Sequence, residues 1–509
     1  LGSVSKTLDS PAFSSFYCLN VLPIFGRLLS HRNKYADSKS YDINELSIKK
    51  YIGIAFVIEG DGSNLIMEAE SYMSFRLSKY TLQVPADPPN GKTLLYNTLT
   101  RSIVQVNETS LNIIHNPERQ QCLTSQEQDA LQQLKQLGVL VNEEEDEFSG
   151  GCAWYQRIRN DRSVIHLTVL TTYSCNLACP YCVENGVKKR IFLKRNTSQQ
   201  IVRWVKGILE EEKAANLLLT FYGGEPLLNK KEIYFLSDAA NILCEHYALK
   251  KSCRLITNGV LLVPSEVDAL VKEGVTHVKI TLDGFGEDHD RKRPTLGGQG
   301  TFSTIIENLT YAVNHLQVTI GSNFDSSNLE SVKKLYDYLH SLGLHQKLKA
   351  VHAKPILSTL SDKIASAISQ QCTVCRMSET DYQGLLDIVK YAQTLGFNVA
   401  DNMSLGPCQA LKYHSYVIDP NGVIYKCPGF VGRPEFAIGD VAYGVMNTQK
   451  AYRDLNIHEP CQTCKYMPLC AGGCRHSAFL ENDDDRGMAC EGEYFERTAG
   501  EFVRILSSK

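Results

Sequence analysis

Between residues 163 and 355 the sequence alternates short β-prone runs with longer runs of helical period, and this constrains the fold more than any other feature. The strand runs are 164–170, 217–221, 254–257, 277–282, 318–322 and 347–351; helical runs occupy 198–211, 231–247, 265–272, 302–314 and 329–341. Ser265, just after Pro264, reads as the cap of its helix. Strands separated by helices pair in parallel, and six such units make a partial α/β barrel rather than the closed eight-stranded form. Functional groups of parallel barrels collect where the strands end. The residues that follow each strand are therefore the ones to read for chemistry.

After the first strand comes Thr-Tyr-Ser-Cys-Asn-Leu-Ala-Cys-Pro-Tyr-Cys, which contains Cys175, Cys179 and Cys182. Three thiolates at C-x3-C-x2-C spacing suit three irons of a 4Fe–4S cluster and leave the fourth iron open. A structural zinc site needs four ligands, and the run offers three, with His166 the nearest histidine.

The chain has 17 cysteines and no basic–apolar–small signal at its start, so the cysteines point to metal or cluster ligation in a reducing, cytoplasmic setting. It begins at Leu1 rather than Met, which points to an altered or missing start. With 53 Lys+Arg against 56 Asp+Glu the net charge is -3, which gives no bulk attraction to nucleic acid. No apolar run reaches the ~18–20 residues of a membrane helix. Neither a nucleic-acid nor a membrane partner is expected.

Further residues follow the strands in a recognisable order. Gly223-Gly224-Glu225-Pro226 comes after the second, Thr257-Asn258-Gly259 after the third and Thr281-Leu282-Asp283-Gly284 after the fourth, then His289-Asp290 and Arg293. Asn323 ends the fifth strand. Together with the C-x3-C-x-Tyr-C run, these resemble the signature of radical S-adenosylmethionine (SAM) enzymes over residues 163 to about 325. The resemblance implies that the open iron binds SAM and that one electron splits it to a 5′-deoxyadenosyl radical. It also implies SAM contacts from Tyr181, Gly223, Gly224, Glu225, Asn258, Thr281 and Asp283, with Glu225 accepting from the methionyl amino group. Thr281 stands where the family has Ser. No side chain is singled out as catalytic.

The last block reads Cys408-x13-Gly422-x4-Cys427, then Cys461-x2-Cys464-x5-Cys470-x3-Cys474, then Cys490. This is similar to the SPASM extension of radical SAM enzymes, a domain of auxiliary clusters. The resemblance implies two auxiliary 4Fe–4S clusters with interleaved ligands: Cys461, Cys464, Cys470 and Cys490 on one, Cys408, Cys427 and Cys474 on the other. The second set is one short, and Cys372 or Cys375 is the expected fourth ligand. Paired zinc ribbons are the rival reading. Cys18, Cys122, Cys152, Cys244 and Cys253 stand alone and read as buried small hydrophobes.

Residues 1–150 form an N-terminal region ahead of a barrel at 160–360 and a SPASM block at 370–509. Residues 1–60 carry no functional signal. Strands at 92–97 and 103–106 flank a turn, Thr124 and Glu127 pair as a capping box, a helix ends at Gly138, and 139–141 reads as a strand. That order resembles the winged-helix-like recognition unit of peptide maturases, at about 72–148. The acidic run 143–147 reads as a solvated linker.

The resemblance implies an oxidoreductase that abstracts hydrogen from a ribosomally made precursor peptide or protein. It would form a thioether or carbon–carbon crosslink, or another modification, with electrons from a donor such as flavodoxin or ferredoxin. Formylglycine formation, as in anaerobic sulfatase maturases, is the alternative. Those enzymes place an Asp after the cysteine closing G-x4-C, where this chain has Pro428. A non-catalytic peptide-binding protein with structural clusters is the reading from another class.

Overall fold

A computed structural model describes residues 17–18, 74–87, 91–182, 190–356, 377–400, 403 and 406–508. The chain divides into two compact units, Leu1–Glu145 and Asp146–Lys509.

The first unit contains β1 (Tyr17–Cys18), β2 (Phe75–Leu77), β3 (Thr81–Pro85), β4 (Lys92–Asn97), β5 (Ile103–Asn107), α1 (Glu108–His115), α2 (Ser125–Gln136) and β6 (Leu140–Asn142). One antiparallel sheet runs β1-β5-β4-β3, and β2 pairs with β6. Leu95, Val104 and Val106 pack with Ile113, Ile114, Leu131 and Leu134, so the alternating faces of the strands meet the apolar faces of both helices. Thr124 and Glu127 form the expected box: Thr124 N donates to Glu127 Oε2 at 2.8 Å, and Glu127 N to Thr124 Oγ1 at 3.4 Å. Asn97 closes the β4–β5 turn, its Oδ1 accepting from Leu99 N and Thr100 N at 2.9 Å. Its Nδ2 donates to Gly138 O at 2.6 Å, tying the hairpin to the end of α2.

The second unit opens with α3 (Glu147–Arg159), then β7 (Val164–Leu170), α4 (Arg195–Glu211), β8 (Asn216–Tyr222), α5 (Lys230–His246), β9 (Lys250–Thr257), α6 (Pro264–Lys272), β10 (His277–Thr281), α7 (Glu287–Lys292), α8 (Phe302–Ala312), β11 (Gln317–Phe324), α9 (Leu329–Ser341) and β12 (Ala350–Pro355). After α10 (Glu379–Thr394) come β13 (Ser415–Ile418), β14 (Val423–Tyr425), β15 (Gly439–Asp440), β16 (Gly444–Val445), α11 (Glu459–Gln462), α12 (Met467–Cys470), α13 (Arg475–Asn482) and α14 (Gly492–Ser507).

One sheet runs β12-β11-β10-β9-β8-β7-β13-β14-β15-β16. The six expected strands are neighbours in parallel, and β13 joins β7 in parallel before the sheet turns antiparallel. Ile165, Leu167 and Val169 are buried on one face of β7, which leaves His166 and Thr168 on the other.

Four expectations change. The sixth strand lies at Ala350–Pro355, not 347–351, because the chain first tightens into a 3-10 turn at Leu344–Gln346 that buries Leu344 and Leu348. Ser265 does not cap α6: Val263 is the N-cap, with no side-chain bond, and Pro264 takes the first turn, where its missing N–H costs nothing. The acidic run is exposed at 143–146 but ends in a helix start, since Asp146 Oδ1 accepts from Phe148 N and Ser149 N. Cys244 and Cys253 are buried, whereas Cys122 is exposed and Cys152 half-buried. The side chain of Cys18 lies outside the described residues.

Helix α3 is held to the C-terminal block by Arg159, which is buried and donates to Leu455 O at 2.5 Å and to Tyr452 O.

Thr124→Ala leaves the Glu127 amide without its cap. Hydrogen exchange of the α2 amides should accelerate by the equivalent of ~1 kcal/mol. Unchanged protection would show that packing alone holds the helix.

Candidate functional site

The loop after β7 is built by close backbone approach. Ser174 N donates to Thr172 Oγ1 at 2.9 Å and Leu177 N to Cys175 Sγ at 3.4 Å; Cys182 N bonds Cys179 O at 3.3 Å. The turn after β8 lies directly on this loop, with Gly224 N bonding Thr172 O at 3.0 Å and Glu225 N bonding Ser174 O at 2.8 Å. A Cβ on Gly223 would come 2.4 Å from Thr172 O, and one on Gly224 would come 2.2 Å from Ser174 O. The two glycines are therefore required by the loop that presents the cysteines, whatever else they touch.

Glu225 is engaged by donors of the chain itself. It is fully buried, and its carboxylate accepts from Thr257 Oγ1 at 2.7 Å, Asn258 N at 2.8 Å and Leu227 N at 3.1 Å. Burial raises its pKa, and these three bonds oppose the shift. The carboxylate faces the β9 turn rather than open space. Asn258 in turn donates from Nδ2 to Asn176 Oδ1 at 2.8 Å, next to Cys175.

Asp283 is likewise fully buried. Its Oδ1 accepts from Asn323 N at 2.7 Å and Nδ2 at 3.1 Å, and its Oδ2 from Arg293 Nη1 at 3.2 Å and from the Tyr181 hydroxyl. Arg293 Nη1 also donates to Tyr181 Oη at 2.7 Å. His289 and Asp290 hold the loop between: Asp283 N donates to His289 Nδ1 at 3.2 Å, and Asp290 Oδ1 accepts from Thr301 N and Phe302 N at the start of α8. Burial keeps His289 neutral, its pKa lowered to about 4.

In front of these groups lies a cavity of about 730 Å³. Tyr181, Gly223, Gly224, Asn258, Thr281 and Asn323 line it, whereas Glu225 and Asp283 stand behind the lining. Cys175, Cys179 and Cys182 also line it, and so do Cys408, Cys427 and Cys474. The two cysteine triads thus face one chamber. The hydrogen bond with Cys474, then burial and the nearby thiols, raise the pKa of Cys408; burial and Cys474 raise that of Cys427. Burial, then the nearby Cys464 and Cys490, raise the pKa of Cys461, and Cys461, Cys464, Cys470 and Cys490 are not among the residues lining the chamber. Among the described residues no three His, Cys, Asp or Glu side chains converge on one metal ion. A cubane presents one iron to each cysteine, so its sulfurs need not meet at a point; the soft donor sets fit iron–sulfur clusters. Cys372 and Cys375 lie outside the described residues.

Sequence reading missed the charge of the chamber. Arg254, Lys279, Lys354 and Lys426 line it, and among the described residues no Asp or Glu does. Burial, then the charge of Lys354, lowers the pKa of Lys279 to about 8. Lys279 precedes Thr281 by two positions on β10, and the period of a strand puts both on one face. His476, two residues after Cys474, also lines the cavity.

Residues 169–339 match the Radical SAM superfamily, so the chain carries a radical SAM domain. The cysteine-type anaerobic sulfatase-maturating enzyme of Clostridium novyi (strain NT) is 23% identical over 374 residues, which span 66% of this chain and 95% of that protein. The PqqA peptide cyclase of Granulibacter bethesdensis is 21% identical over 325 residues, 62% of this chain and 83% of that one. A solved structure of native anSMEcpe with bound AdoMet and Cp18Cys peptide shares the fold at a TM-score of 0.51, with 19% identity over 68% of this chain and 99% of that one.

Glu225→Gln turns an amide NH₂ toward groups that themselves donate. Urea unfolding should show a loss of ~1–3 kcal/mol, the cost of a buried group left unsatisfied. A variant as stable as the wild type yet unable to bind SAM would mean that this carboxylate touches the cofactor.

Proposed function

We propose that this enzyme is a maturase of a ribosomally made peptide, which abstracts hydrogen from a residue of the peptide and forms a thioether or carbon–carbon crosslink, or a related modification. The observation that carries the reading is the shared chamber: a peptide segment inside it reaches both cysteine triads. Cys175, Cys179 and Cys182 would hold the SAM-binding 4Fe–4S cluster, with Tyr181, Gly223, Gly224, Asn258 and Thr281 beside SAM. Cys408, Cys427 and Cys474 would hold one auxiliary cluster, and Cys461, Cys464, Cys470 and Cys490 the other. Bound there, the cluster and SAM supply a one-electron route to hydrogen abstraction. Glu225 and Asp283 act as positioning residues for the loops that present these contacts. An electron donor of flavodoxin or ferredoxin type and a cytoplasmic setting complete the reading. Among the described residues no helix is long and apolar enough to cross a membrane.

Residues 160–360 and 370–509 are read as the barrel and a SPASM domain, and about 72–148 as a winged-helix-like recognition unit. In the last, β3 ends its sheet among the described residues. An extended leader added there would gain backbone hydrogen bonds, and tethering would raise the local concentration of the modified segment.

Formylglycine formation is the second reading, favoured by the names of the sulfatase-maturating relatives. Pro428, on the wall of the chamber, offers no proton acceptor, and among the described residues no carboxylate lines the cavity to replace it. The Radical SAM match over residues 169–339 favours an enzyme over the non-catalytic reading.

Anaerobically reconstituted protein should carry about twelve irons, from three four-iron clusters. Replacing Cys175, Cys179 and Cys182 by Ala should remove about four and abolish deoxyadenosine formation. Stoichiometric zinc, or SAM cleavage retained in that variant, would sink the assignment.

Deleting residues 1–145 keeps α3 and its Arg159 anchor. The truncated enzyme should cleave SAM but bind its full-length peptide at least ~100-fold more weakly. Equal peptide affinity would leave the N-terminal unit without a recognition role.

A further inference from the structure

His476 is 1% exposed, and neither Nδ1 nor Nε2 has a hydrogen-bond partner among the described residues. Leaving both nitrogens of a buried imidazole unbonded costs several kcal/mol, of the order of 1–3 for each group, so the position needs a reason. Its surroundings supply one. The residue lines the same chamber as Cys408, Cys427 and Cys474, the cysteine set that is one ligand short.

A second observation concerns the room made for the ring. A Cβ on Gly429 would come 2.7 Å from His476 Cδ2, so a glycine is needed there for the imidazole to stand against the Cys427 loop. Gly429 N donates to Cys427 Sγ at 3.4 Å, and Phe430 meets the ring edge to face at 5.5 Å between centroids. The imidazole is thus fixed between the loop of Cys427 and the helix start of Cys474.

We propose that His476 is the fourth protein ligand of the auxiliary cluster held by Cys408, Cys427 and Cys474, giving it a Cys₃His set. This inference rests on the cluster reading above. A ring nitrogen donates its lone pair to the iron without a cysteine ligand, so no bond is broken and no oxidant is consumed. A neutral donor in place of a thiolate leaves the cluster less negative and raises its reduction potential, as histidine does in Rieske centres. With four ligands the cluster has no vacant iron for a substrate thiolate, and its role is to accept an electron.

The test uses full-length protein in which Cys175, Cys179 and Cys182 are Ala, reconstituted and reduced without SAM, so that the only paramagnets are auxiliary clusters. Pulsed electron paramagnetic resonance should show a ¹⁴N coupling that becomes ¹⁵N when histidine alone is isotopically labelled. His476→Ala should abolish it. His476→Cys, which keeps a fourth ligand if the alanine variant does not fold, should retain the iron, lose the nitrogen coupling and lower the potential. No histidine nitrogen coupling in the parent protein, or coupling that survives both substitutions, overturns the proposal. A coupling lost in Cys372→Ala or Cys375→Ala but kept in both His476 variants overturns it as well. The underlying reading fails separately, through iron well below the two-cluster amount in the parent protein.

Discussion

A carboxylate sealed from water holds the business end of the sheet together. Glu225 takes three hydrogen bonds, from the β8 turn and from the β9 turn, while the glycines before it lie on the loop that carries Cys175. A buried carboxylate is tolerated only when such donors surround it, so the three loops can be satisfied only in register with one another. Asp283 repeats the device one strand further on, joining Tyr181, Arg293 and Asn323. Both carboxylates behind the chamber wall are thus engaged by donors from the loops that form it.

This division of labour also explains what the sequence could and could not tell. Motif residues were legible as a set because their order along the strands is fixed by the parallel topology. Which of them face the cavity was not, since a motif records proximity in the chain and not the side of the wall. Gly223 and Gly224 read as contacts to SAM, and the structure adds that their Cβ positions are closed by backbone carbonyls of the preceding loop. Tyr181 and Thr281 face the chamber; Glu225 and Asp283 support it.

The first five strands were legible to within a few residues because their apolar alternation is strong. The sixth slipped because Leu348 is buried by a tight turn rather than by a strand. Helix α3 escaped notice for another reason. Its helical signal sits behind an acidic run that looks like linker, and Arg159 at its end reaches carbonyls nearly three hundred residues away. His476 carried only a positional cue, two residues past a cysteine, and its unbonded nitrogens are visible only once the chain is folded.

The pairing of β13 with β7 has a consequence for how the molecule is made. Strand Val164–Leu170 has β8 on one side and Ser415–Ile418 on the other. On the ribosome the second neighbour emerges some 250 residues after the first strand. Throughout that interval β7 presents a bare edge of backbone donors and acceptors, the kind that recruits foreign strands. The cysteine-rich block is thus also a late-arriving cover for the oldest edge of the sheet. A nascent chain halted before residue 415 would be an aggregation hazard rather than a smaller enzyme.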